Sequence, residues 1–80
     1  MPPYRSSDII NTVDITDFVN IVAALTGTNH ETVFDAIQVI IKSRGRKRRA
    51  ILNAGYAILY EDGYLFLERY RTKLVILRLF

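Results

Sequence analysis

The stretch Tyr56-Ala57-Ile58-Leu59-Tyr60-Glu61-Asp62-Gly63-Tyr64-Leu65-Phe66-Leu67 decides the fold of the second half of the chain. Its aromatic and branched residues favour extended backbone. Glu61-Asp62-Gly63 reads as a hairpin turn, because glycine supplies the positive φ that such a turn requires. Working outward, Ala50-Ile51-Leu52 extends the first strand upstream, with Gly55 as a bulge or bend within it. Downstream, Arg71-Thr72-Lys73 is a weaker turn leading to a last strand over Leu74–Leu79. The expected unit is a three-stranded antiparallel meander whose first strand is broken. Tyr64, Phe66 and Tyr70 alternate against Leu65 and Leu67, and Val75, Leu77 and Leu79 against Leu74, Ile76 and Phe80. Both faces are therefore apolar, and each needs a cover.

Two helices precede the strands and are expected to cover one face. Asp14 offers an N-cap side chain and Asp17 an acid in the first turn. Ile15, Phe18, Val19, Val22 and Leu25 then recur at helical spacing, and Gly27 closes the helix. Thr28 and Glu31 stand as in a capping box for a second helix. Its stripe is Val33, Ile37, Ile40 and Ile41, with Phe34 beside it, and Gly45 is a plausible stop. Ile9, Ile10 and Val13 read as a short turn packing on the body. Residues 1–8, with Pro2, Pro3, Ser6 and Ser7, read as a frayed leader. The fold class expected is thus α+β in one domain over residues 1–80. A helix pair occupies 14–45 and a β-meander 50–80.

Eighty residues, half of them hydrophobic, hold more apolar material than one small core hides. Self-association as a homodimer or larger oligomer is the expected remedy, with a second copy covering the second sheet face. No cysteine is present, so neither a disulfide nor a thiolate metal site is expected. No signal peptide is visible and no apolar run approaches the ~20 residues of a membrane span. A protein of the cytoplasm or nucleoid, or a virus-encoded one in its host cell, is expected, without membrane partners.

Candidate catalytic groups are few. His30 stands alone at a helix start, where a solvated side chain is the ordinary outcome. Glu61 and Asp62 are turn residues, and Asp14 and Asp17 are capping groups. The glycines lack phosphate-cradling spacing. The reading is of a non-enzyme without cofactors or metal ligands.

Charge is the sharpest functional signal. Residues 1–41 hold one cation and five acids, whereas residues 42–80 hold ten cations and three acids. Six of the eight residues from Lys42 to Arg49 are basic: Lys42, Arg44, Arg46, Lys47, Arg48 and Arg49. Guanidinium groups fork onto phosphates, and a cluster of them releases counterions on meeting nucleic acid. Such a run repels itself and calls for an anionic partner, DNA more than RNA. Arg69, Arg71 and Lys73 near the last turn extend the candidate site. Tyr56, Tyr60, Tyr64 and Tyr70 would stack on bases where exposed.

The segment Thr16-Asp17-Phe18-Val19-Asn20-Ile21-Val22-Ala23-Ala24-Leu25-Thr26-Gly27 resembles the first helix of the HU/IHF-type bacterial histone-like proteins. Val33-Phe34-Asp35-Ala36-Ile37 is similar to the middle of that family's second helix, and Leu52-Asn53-Ala54-Gly55-Tyr56-Ala57-Ile58 to its first hairpin element. The resemblance implies an intertwined dimer that binds duplex DNA with little sequence preference. The family's long β-arm has no counterpart here, and the likeness ends near Glu61. Two further readings use the same residues. Ala23, Gly27 and Val33 also suit a helix-turn-helix, with Asn29–Ser43 as recognition helix and Tyr56–Glu68 as a wing. A viral or structural assembly subunit, joined through the apolar sheet faces, is the third.

Overall fold

The computed structural model describes residues 9–43 and 48–79. In chain order these form β1 (Ile10–Thr12), α1 (Ile15–Thr26), α2 (His30–Lys42), β2 (Arg49–Ile51), β3 (Tyr56–Glu61), β4 (Tyr64–Arg69) and β5 (Thr72–Arg78). The α+β character is as expected. The sheet is not: it has five strands in the order β1-β5-β4-β3-β2, and it is mixed, because β1 runs parallel to β5.

Two local features separate this sheet from the expected three-stranded meander. Residues Ile10–Thr12 form a strand rather than a turn, with Ile10 opposite Val75 and Thr12 opposite Leu77. The Thr12 hydroxyl donates to Ile76 O at 2.7 Å. Three residues are too few to display a period, so only the pairing reveals this strand. The break at Gly55 is a reversal, not a bulge. Ala54 and Gly55 have φ of 51° and 83°, consecutive left-handed values that define a two-residue hairpin turn. Tyr56 N–H donates to Asn53 O and Leu52 N–H to Tyr56 O, both at 2.9 Å. Ala50 therefore lies antiparallel to Ile58 as part of a separate edge strand.

The remaining turns are of the same kind. Asp62 and Gly63, at φ of 50° and 83°, join β3 to β4 where the sequence places them. Between β4 and β5 the turn falls on Tyr70 and Arg71, one residue earlier than expected, at φ of 50° and 68°. Left-handed backbone costs about 1–2 kcal/mol for a residue with a side chain. Here two such residues stand side by side.

The helices cap much as their sequences dictate. Asp14 accepts from Asp17 N–H at 2.8 Å, and Gly27 closes α1 at φ 68° with its N–H on Ala23 O. The cap of α2 is Asn29, which accepts from Thr32 N–H at 2.8 Å. Thr28 was the expected cap, but its hydroxyl oxygen is instead buried without a hydrogen-bond partner among the described residues. α2 ends at Lys42 with Ser43 as its cap; Gly45 and the leader, residues 1–8, lie outside the described residues.

Both helices lie on one face of the sheet. Phe18, Val22, Val33 and Ile37 bury themselves against Ile58, Leu65, Leu67 and Val75, each such side chain contributing ~1.5–3 kcal/mol of burial. Leu25 and Ile41, expected in the helix stripes, are exposed. The opposite face carries Ala57, Leu59, Tyr64, Phe66 and Ile76 by strand alternation. Yet Phe66 is only 8 % exposed and Ala57 6 %. Long charged side chains stretch across this face and cover it in part. Uncovered apolar side chains sit at Phe34, Val39 and Ile41 of α2 and, opposite Ala57 on the outer face, at Ile51 of β2.

Candidate nucleic-acid interface

The outer face is built on β4, the middle strand. Tyr64 and Phe66 stand two apart on it and so share a face, their rings 6.0 Å apart and inclined by 27°. Leu59 and Ile76 flank Phe66 on the neighbouring strands. One position along, Glu68 lies opposite Ala57 and Lys73. A register shift at Leu67/Glu68 brings Lys73 to this side. Its ammonium sits 5.0 Å from the Phe66 ring centre, which both covers the ring and holds a cation over the apolar row.

Arg49 completes this arrangement from the edge strand. Its Nε lies 2.7 Å from Glu68 Oε1, with Glu68 nearly buried and Arg49 half exposed. Burying a carboxylate demands a partner, and Arg49 is the partner found. Arg48, the residue before, is exposed, while its carbonyl accepts from Tyr60 N–H at 2.7 Å. Its backbone is thus pinned to β3 while its guanidinium is free to meet solvent.

A second group of cations gathers at the β4–β5 tip. The Arg69 guanidinium lies 4.7 Å from the Tyr56 ring centre and 5.3 Å from that of Tyr70. Its Nε donates to Ala54 O at 3.0 Å. Arg71 is exposed in the turn itself. Arg49 is opposite Leu59, and Arg69 is opposite Tyr56. The two groups are therefore about 10 Å apart along the strand direction.

Of the expected site residues, Lys42 is exposed in the last turn of α2, and Arg48, Arg49, Arg69, Arg71 and Lys73 are placed as above. Arg44, Arg46 and Lys47 lie outside the described residues. Two outer-face residues, Glu68 and Arg78, escaped the sequence reading. Glu68 matters as the partner of Arg49, a contact between distant strands. Arg78 stands opposite Tyr64, at a position that strand parity from Ile76 would have given. Tyr70 was assigned to a strand, and its place in a turn has no signal in its own residue type.

The helical layer offers a different surface. Asp14, Asp17, Glu31 and Asp35 lie there, and a shallow apolar groove between the helices is lined by Ile15, Val19, His30 and Phe34 among others. Among the described residues no cluster of His, Cys, Asp or Glu suits a metal ion, and no helix is long and apolar enough to cross a membrane. Comparison with protein-family models, curated proteins and solved structures finds no match for this chain.

Proposed function

We propose that this protein binds nucleic acid through the cations of its sheet layer and of the segment Lys42–Arg49. The observation that carries the reading is the sorting of charge by layer. Four acids, Asp14, Asp17, Glu31 and Asp35, belong to the helices and their caps. Arg48, Arg49, Arg69, Arg71, Lys73 and Arg78 all belong to the sheet and its connections. One of the sheet's acids, Glu68, is engaged by Arg49. A surface with cations set among half-exposed aromatics suits phosphates and bases together.

The helix-turn-helix alternative is less well supported. The exposed side of α2 presents Glu31, Phe34, Asp35, Val39 and Ile41, a poor surface to lay over phosphates. The hairpin proposed as its wing is paired on both sides, by β2 and by β5. Self-association is favoured by the exposed Phe34, Val39, Ile41 and Ile51. Light scattering that returned a 9.2 kDa particle at tens of micromolar would remove that part of the reading. The test of binding is a gel-shift series with duplex DNA, single-stranded DNA and RNA at two salt concentrations. Retardation at low salt that weakens at high salt is expected. No shift of any of the three at low salt would sink the proposal and favour an assembly subunit.

A further inference from the structure

The β4–β5 turn spends favourable backbone geometry on residues that do nothing for the core. A two-residue turn of this geometry is best filled by Asn-Gly or Asp-Gly, and the β3–β4 turn of the same sheet uses Asp62-Gly63. The β4–β5 turn instead places Tyr70 and Arg71 at φ of 50° and 68°. Tyr70 is 76 % exposed, so packing against the interior does not explain its presence. Strained backbone at such a position points to what the side chains do outside the fold.

The ring is nonetheless held in place. It lies so close to Gly55 that a Cβ there would stand 2.7 Å from Tyr70 Cζ. The Arg69 guanidinium lies between the rings of Tyr56 and Tyr70, and the Ala54 carbonyl fixes its Nε. The two neighbouring hairpin turns, 53–56 and 69–72, thus brace each other through one arginine and one glycine. The Arg69 guanidinium lies against the ring and the exposed Arg71 follows it in the turn, while the nearest acid along the strand, Glu68, is already paired with Arg49. An exposed, pre-positioned aromatic ring among cations fits a planar, electron-rich group carried on a polyanion.

Resting on the nucleic-acid reading above, we infer that the β4–β5 tip is a seat for an unpaired nucleobase. Tyr70 supplies the stacking surface, and Arg69 and Arg71 on either side of it in the chain meet the flanking phosphates. The preferred ligand is a single strand, because bases within a duplex are already stacked and offer the ring no free face. Base–aromatic stacking is also tolerant of sequence.

Tyr70→Asn tests this directly. It removes the ring, keeps every cation, and supplies a residue that accepts left-handed backbone. Labelled single-stranded and duplex DNA of the same sequence are titrated by anisotropy against the wild type, Tyr70→Asn and Tyr70→Phe, with melting curves for all three. Tyr70→Asn is expected to lose at least about fivefold in single-strand affinity, with duplex affinity within twofold, the salt slope unchanged and the melting temperature equal or higher. Tyr70→Phe should bind as the wild type. Equal losses on both ligands, no loss on either, or a lowered melting temperature would each overturn the inference, the last by showing that the ring serves the fold. A wild type that binds duplex but not single strands would overturn this inference alone, whereas one that binds no nucleic acid would overturn both it and the function it rests on.

Discussion

The two faces of the sheet solve one problem in different ways. On the inner face Ile58, Leu65, Leu67 and Val75 are completely covered by α1 and α2. On the outer face Leu59, Phe66 and Ile76 form an equally apolar row, but neither α1 nor α2 lies over it. Arg49 and Lys73 extend across instead, one held by Glu68 and the other resting over Phe66. Carbon stems shield the row while the charged heads stay at its surface. The inner face is therefore specialised for stability and the outer face for charge. A covering made of arginine and lysine leaves a sheet that needs less from a second copy and offers more to a polyanion.

Deleting one side chain from each face separates the two roles. Leu67→Ala, on the inner face, removes a wholly buried side chain from beneath the helices. A loss of about 2–5 kcal/mol in denaturant unfolding is expected, a large share of the ~5–10 kcal/mol typical of such a domain. An unchanged midpoint would mean that the helices do not seal this face.

A smaller effect is expected from Arg49→Ala, which strands the Glu68 carboxylate. Breaking a buried pair by removing one member costs about 3–5 kcal/mol. Arg49 is half exposed, so water takes over part of its role and about 1–2 kcal/mol is expected. Adding Glu68→Gln should recover most of the loss, which a double-mutant cycle reads directly. Additive losses would show that the two side chains do not depend on each other.

What the sequence made legible follows from how local each signal is. Both helices announce themselves through Asp14, Gly27 and their apolar stripes, and the Asp62–Gly63 turn through its glycine. The strand at Ile10–Thr12 has no such marker: its identity lies in the pairing with β5, more than sixty residues away. The Ala54–Gly55 reversal was visible as a glycine but not as a change of direction, since a bulge and a turn draw on the same residue. The Tyr70–Arg71 turn was misplaced by one residue because neither residue type favours it. Among the site residues, the excess of cations could be counted directly. Their division into a group near Arg49 and a group near Arg71 follows from strand register, which no count contains.

The proposed electrostatic binding of nucleic acid by the basic segment and the sheet is tested by the salt dependence of affinity. Each phosphate contact on duplex DNA contributes about 0.9 to the slope of log affinity against log salt. Five contacts from Arg44, Arg46, Lys47, Arg48 and Arg49 give a slope of about −4.5, or roughly a 500-fold loss between 50 and 200 mM salt. Arg46→Gln/Arg48→Gln leaves the Arg49–Glu68 pair intact. It should flatten the slope by about two units, with an unchanged melting temperature. Affinity and slope both equal to those of the wild type would contradict the claim and leave the basic run a solvated connection.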